Sequence, residues 1–257
     1  MRGWLFLISF AAAQAQAAPE LTERLPFAFN GSFSTRYGQT FDAKETEGAI
    51  SFEPFLTLPF DGIRHIDFDT VIDRPTDIYQ NFRVPRASLL YWQKIPSTTQ
   101  WRLALLTSAT ALNIERWKMD GHQVRFLGAG EISRPLLSHF TFSLRVGPFY
   151  QWNGYKQTVS GSTLPTGGLQ ERARLVWENR DWAVDLRLLL AQSQATGWSN
   201  DYGTFEAVTY RIFPGVKLGV SHELESNVID ESTGRSRPFQ LFDSRVSRIS
   251  GMMELEL

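Results

Sequence analysis

Along most of this chain apolar and polar residues alternate with a period of two, in segments of about ten residues separated by polar or turn-forming stretches. The last segment is the plainest. In Ile249-Ser250-Gly251-Met252-Met253-Glu254-Leu255-Glu256-Leu257 one parity is apolar and the other polar, which describes a strand with one greasy and one wet face. Such a strand exposes unpaired backbone groups unless another strand closes on it, so the pattern predicts a closed sheet.

Twelve alternating segments are predicted, at 27–37, 49–58, 63–73, 82–93, 101–111, 123–133, 139–152, 169–178, 182–192, 204–213, 216–225 and 242–257. Connections after even-numbered segments are short and rich in turn formers: Pro59-Phe60-Asp61-Gly62, Ile95-Pro96-Ser97-Thr98, Arg134-Pro135-Leu136, Asn179-Arg180-Asp181 and Pro214-Gly215. Those after odd-numbered segments are long and polar, such as 38–48, 153–168 and 226–240. An even number of antiparallel strands, short turns on one rim and long loops on the other predict an all-β, twelve-stranded transmembrane barrel with periplasmic turns and extracellular loops. A soluble sandwich is the competing architecture, but twelve strands enclose a lumen too wide for side chains to fill.

Aromatic positions add a vertical coordinate. Phe27, Trp92, Trp101, Phe140, Trp177, Trp182 and Phe213 stand at the short-turn ends of the apolar faces, and Tyr37, Phe82, Tyr150, Trp152 and Phe205 near the long-loop ends. Two such bands match the girdles of a barrel in a bilayer. Arg64 and Arg211 are expected on the lipid side near the periplasmic ends, where long side chains reach headgroups.

Composition then limits the classes. In 257 residues there are 26 Lys+Arg against 27 Asp+Glu and no cysteine. Near-neutral net charge gives no general pull on nucleic acid, and the lack of cysteine excludes thiolate chemistry. Residues 1–17 read as a signal peptide: Arg2, an apolar run from Trp4 to Ala13, then Ala15-Gln16-Ala17 before the cleavage point. Residues 18–26 then form a short periplasmic segment and 27–257 the barrel.

From 27 to 257 the chain resembles the bacterial outer-membrane β-barrel proteins, a porin-like class, on the strength of its leader, loop asymmetry, girdles and terminal strand. In that class the last residue is usually aromatic; here it is Leu257. The resemblance implies residence in the outer membrane, with its lipids, lipopolysaccharide, the barrel-assembly machinery and small polar solutes as partners.

Function would reside on the polar faces. One half of the lumen is expected to carry Arg83, Arg102, Arg125, Arg145, Arg172, Arg174 and Arg187 against Glu131, Glu178 and Asp185. The other half carries Glu53, Asp67, Asp69, Glu206, Glu223, Glu225, Glu254 and Glu256 against Arg36, Lys217 and Arg248. A basic wall facing an acidic wall suits a passive channel for small polar or charged solutes. The alternatives are a barrel closed by those same ion pairs, or an adhesive one acting through acidic loops. A lipid-modifying hydrolase would have to use His65, His122, His139 or His222, of which only His65, in His-x-Asp-x-Asp, has acidic company on its face. No catalytic residue, metal or cofactor is expected.

Overall fold

The computed structural model describes residues 30–40, 48–75, 83–97, 100–112, 114, 121–157, 163–194, 198–227, 242 and 247–256. The leader and the girdle candidates Phe27 and Phe82 lie outside these residues. The described chain is an antiparallel all-β sheet of β1 (Asn30–Thr40), β2 (Gly48–Pro59), β3 (Arg64–Pro75), β4 (Arg83–Ile95), β5 (Arg102–Leu112), β6 (Gln123–Leu137), β7 (Phe140–Asn153), β8 (Gly167–Glu178), β9 (Trp182–Gln194), β10 (Trp198–Phe213), β11 (Val216–Asn227) and β12 (Ser247–Glu256). Each strand pairs with its neighbours in sequence, and β1 pairs with β12 from Ser32↔Glu256 to Thr40↔Arg248, so the strand order closes on itself.

Side-chain hydrogen bonds shape the tight turns. Asp61 Oδ1 accepts from the amides of Ile63 and Arg64 at 2.9 and 2.7 Å, and Asn179 Oδ1 does the same for Asp181 and Trp182 at 2.9 and 2.8 Å. These are side-chain-capped turns of the kind Asp and Asn favour. Gly215, at φ 79°, occupies the left-handed region in the two-residue turn between β10 and β11. At the opposite rim β10 begins at Trp198, paired with Gln194, rather than near 204. The β9–β10 connection is therefore short where a long one was expected, because the ladder continues beyond the predicted strand ends, from Gln192↔Asn200 to Gln194↔Trp198.

The pairing rows run obliquely. One begins at Asn30, the first residue of β1, and passes through Thr57, Asp67, Leu90, Ser108, Leu127, Phe149 and Gly168. It leaves the sheet at Ser193 and Ser199, at the far end of β9 and β10. Rows thus climb toward the long-loop rim as strand number increases, as they must where tilted strands close a barrel.

Three bulges interrupt the registers. Val71 pairs with Arg86 but Asp73 with Arg83, so two residues of β4, one of them Pro85, oppose one of β3. Others lie between Pro135 and Leu137 and between Arg211 and Phe213. Proline belongs at such points because it has no amide to give to the ladder.

Candidate functional site

The two faces of the sheet differ in both chemistry and shielding. Residues of one parity, including Ser51, Gln123, Gln151, Ser193, Ser221 and Ser250, are buried, while the opposite parity carries Leu105, Phe126, Tyr150, Leu186, Val208 and Val220, all large and exposed. In a closed ring the shielded face is the concave one, so the polar face lines the interior.

On that interior face the strands β6 to β9 assemble a dense basic patch. Arg145 stands directly opposite Arg172, and Arg174 opposite Arg187. Two carboxylates serve the four guanidinium groups. Glu131 accepts from Arg145 at 2.8 and 2.9 Å, and Asp185 accepts from Arg174 at 2.9 Å and from Arg187 at 2.5 Å. Like charges about 5 Å apart repel by ~3 kcal/mol at an effective dielectric near 20 and by about 1 in bulk water. An anion arriving beside Arg172 relieves that repulsion, so the patch is chemically a receptor for negative charge.

Aromatic rings brace this wall. The Arg187 guanidinium lies 4.5 Å from the centre of the Phe205 ring, and that of Arg125 lies 4.6 Å from Phe149. Arg125 also donates to Gln151 Oε1 at 2.9 and 3.1 Å, and Gln151 donates to Asn153 at 3.0 Å. Phe149 pairs with Gly168. A Cβ on Gly168 would lie 1.9 Å from the Gln192 carbonyl oxygen and 2.8 Å from the Phe149 ring, so only glycine fits.

Across the ring, β2 and β3 lie six strands from β8 and β9. Here Asp67 accepts from Thr57 Oγ1 at 2.7 Å and lies 3.3 Å from His65 Nε2. The His65 ring stacks on Trp92 at 4.6 Å between centroids. Asp69 faces Arg86 at 3.3 Å. Of the other expected wall residues, Arg83 pairs with Asp73, Arg102 with Ser133, Glu53 with Ser34, Glu223 with Arg248, Glu225 with Gly203, Glu254 with Lys217 and Glu256 with Ser32, all positions of the interior parity.

Four expectations are corrected by the registers. Glu206 pairs with Leu186 and His222, and Phe205 with Arg187 and Glu223, so Glu206 faces outward and Phe205 inward. Arg211 pairs with Lys217 and so also turns inward. Counting parity back from Phe213 reverses all three, because the bulge between Arg211 and Phe213 adds one residue. Trp92 pairs with His65 and Leu106 on the interior face and leaves the girdle, for the same reason at Pro85. The remaining described girdle candidates keep the apolar parity: Trp101, under the Arg134 guanidinium at 5.3 Å, Phe140 beside Trp177 at 6.4 Å, and Trp182 beside Tyr210 at 4.8 Å. Tyr150, Trp152 and Phe213 are exposed.

Sequence reading missed Arg86, which a parity switch at a strand proline would have revealed. It also missed the apolar interior patch of Trp92, Leu106, Ala129 and Phe149, of which the last three are buried. The histidines are scattered: His222 Nδ1 meets Glu206 Oε2 at 2.5 Å on the outer face, and His139 Nδ1 lies 3.0 Å from the Glu178 carbonyl oxygen at the short-turn rim. Among the described residues no group of three or more acidic or histidine side chains could share a metal ion.

No protein-family model matches the chain, and no curated protein matches it by sequence. Solved structures do match. The KdgM porin superposes with a TM-score of 0.56 at 7% identity over 88% of this chain and 99% of that one; another structure of it, with a TM-score of 0.54, is a complex with disordered oligogalacturonate. The NanC porin gives 0.57 at 11% identity over 87% and 98%, and an outer membrane channel from Pseudomonas putida F1 gives 0.56 at 9% over 91% and 97%. At such identities the likeness is one of architecture, and the chain has the porin-like fold of bacterial outer-membrane barrels.

Proposed function

We propose that this protein is a twelve-stranded outer-membrane barrel acting as a passive channel for small hydrophilic solutes, with short turns in the periplasm, long loops outside, and a lumen whose basic wall selects for anions. The observation that carries the reading is the excess of positive charge on β7 to β9: four arginines share two carboxylates, opposite a wall on which Asp69 is paired with Arg86 and Asp67 is held by Thr57 and His65. A preformed field of this kind concentrates counter-ions in a low-dielectric passage. A porin of the same architecture, solved in complex with oligogalacturonate, agrees with that use.

The direction of the ion pairs favours an open passage over a closed barrel. Arg145–Glu131, Arg174–Asp185, Arg187–Asp185 and Arg86–Asp69 join neighbouring strands or one strand, along the wall. Lys217–Glu178, at 3.9 Å, joins β11 to β8, but at the short-turn rim. Export by a cleaved leader, assembly by the barrel machinery and contact with lipopolysaccharide belong to the same reading, and no enzymatic activity does.

Single-channel recording of the purified full chain in planar bilayers tests it. Steps above the bare-bilayer baseline are expected, with a reversal potential displaced toward the chloride potential in a KCl gradient. The variant Arg172→Gln/Arg174→Gln should move that potential toward the potassium side while still forming channels. A folded protein without conductance would replace the channel by the closed structural barrel.

A further inference from the structure

Apolar residues dominate the middle of the outer face, with two carboxylates among them, Glu171 and Glu206. Glu171, on β8, stands in the pairing row Leu105–Gly130–Val146–Glu171–Leu190, all of outward parity. It lies six residues from Trp177 and four from Gly167, the partner of Tyr150, so it falls between the two aromatic bands. Among the described residues no hydrogen bond or ion pair reaches it, whereas the other outward carboxylate within a strand, Glu206, is held by His222. A lone carboxyl at this depth is costly and needs a partner from outside the barrel.

The same face carries a notch. Gly128 and Gly130 on β6 are exposed, and a Cβ on either would meet nothing within 4 Å. Phe126 and Ile132 stand exposed at its two ends. Because the rows climb from β6 to β8, the outward residue of β6 level with Glu171 is Gly128, one step above Gly130. At one height on one face there is thus a protruding carboxyl on β8, a glycine notch on β6, and β7 midway between them at Val146 and Pro148.

We propose that two copies of this chain pair in the membrane through β6 to β8, about a two-fold axis parallel to the bilayer normal in front of β7, with Glu171 of each copy seated in the Gly128 notch of the other. The occupant is a second copy because knob and notch are equidistant from β7 at equal height, and a two-fold contact must bring residue i to j and j to i. Within the notch no Cβ occupies the space over Gly128 and Gly130, so the Glu171 side chain of the other copy has room to seat against the main chain. Small residues that admit close approach and polar groups that bond across it are what hold proteins together in lipid. The proposal rests on the outer face being lipid-facing, but not on the lumen conducting.

The absence of cysteine makes the test clean. Gly128→Cys and Glu171→Cys are introduced singly into the full chain, co-expressed with different tags, and oxidised in native membranes. A covalent heterodimer is expected from the mixed pair, none from either variant alone, and a homodimer from Val146→Cys alone near the axis. A disulfide within one copy is excluded because each copy carries a single cysteine. Wild-type protein in mild detergent should show twice the monomer mass by light scattering, and Gly128→Phe should halve it while the barrel stays heat-modifiable. A monomeric wild type with no mixed crosslink overturns the proposal, and so does a crosslink of equal yield from lipid-face positions on β11. Loss of heat-modifiability in wild type would instead remove the membrane reading on which it stands.

Discussion

The two halves of the interior wall handle charge in opposite ways. On β3 Asp67 and Asp69 each have a neighbour: Asp67 has Thr57 and His65, and Asp69 has Arg86. On β6 to β9 the arginines outnumber their acceptors and stand opposite one another in the ladder. Asp67 and Asp69 are each held by neighbours while the arginines exceed theirs, an imbalance of pairing that the nearly neutral charge of the whole chain does not reveal. Total charge says little about a lumen, and local pairing says most of it.

Changes that dismantle the frame of the basic wall should have the largest effect. Gly168→Val places a branched Cβ against the Gln192 carbonyl and the Phe149 ring, and a loss of about 3 kcal/mol is expected. It would be read as a lower urea midpoint for the loss of heat-modifiability, and wild-type behaviour would mean that the Phe149–Arg125 stack is not built on that glycine. Next comes Asp185→Asn, which removes the acceptor shared by Arg174 and Arg187. Because Arg174 is well exposed and solvated, about 1–2 kcal/mol is expected rather than the full cost of an orphaned buried charge, together with stronger anion selectivity.

Asp67→Asn on the other wall sharpens the contrast. It keeps a hydrogen-bond acceptor for Thr57 and should shift the reversal potential less than the double arginine variant does. An equal shift would show that both walls contribute alike. The smallest effect belongs to Asp61→Ala at the β2–β3 turn. The Arg64 guanidinium, followed by the Ile63 amide, holds the Asp61 carboxyl below the usual carboxylate range. Its contribution is therefore present above the unfolded carboxylate value and fades as the pH falls through the lower folded one. Removing it should erase a slight acid dependence of hairpin stability, measurable by hydrogen exchange of the Ile63 and Arg64 amides and leaving selectivity unchanged.

Period-two patterning located every strand within a few residues, apart from the extended start of β10 and the later start of β12, because alternation and turn residues are local signals. Parity along a strand was legible as far as the first bulge. Beyond Pro85 and near Ile212 the extra residue exchanged the faces, which is why Trp92, Phe205, Glu206 and Arg211 were misplaced while Arg145, Arg172 and Asp185 were not. Pairing partners were not legible at all. That Arg174 shares Asp185 with Arg187, or that Phe149 covers Gly168, depends on which residues stand opposite across two strands.

What the amino-acid order alone determined is therefore the all-β class, the succession of strands and the asymmetry of their connections, all consequences of backbone geometry and turn chemistry acting over a few residues. Tertiary structure decided which face each residue takes after a bulge, which arginines lack a carboxylate, and which glycine lies level with Glu171. Those follow from register and tilt, and register is a property of pairs of strands, fixed only when the whole ring has formed.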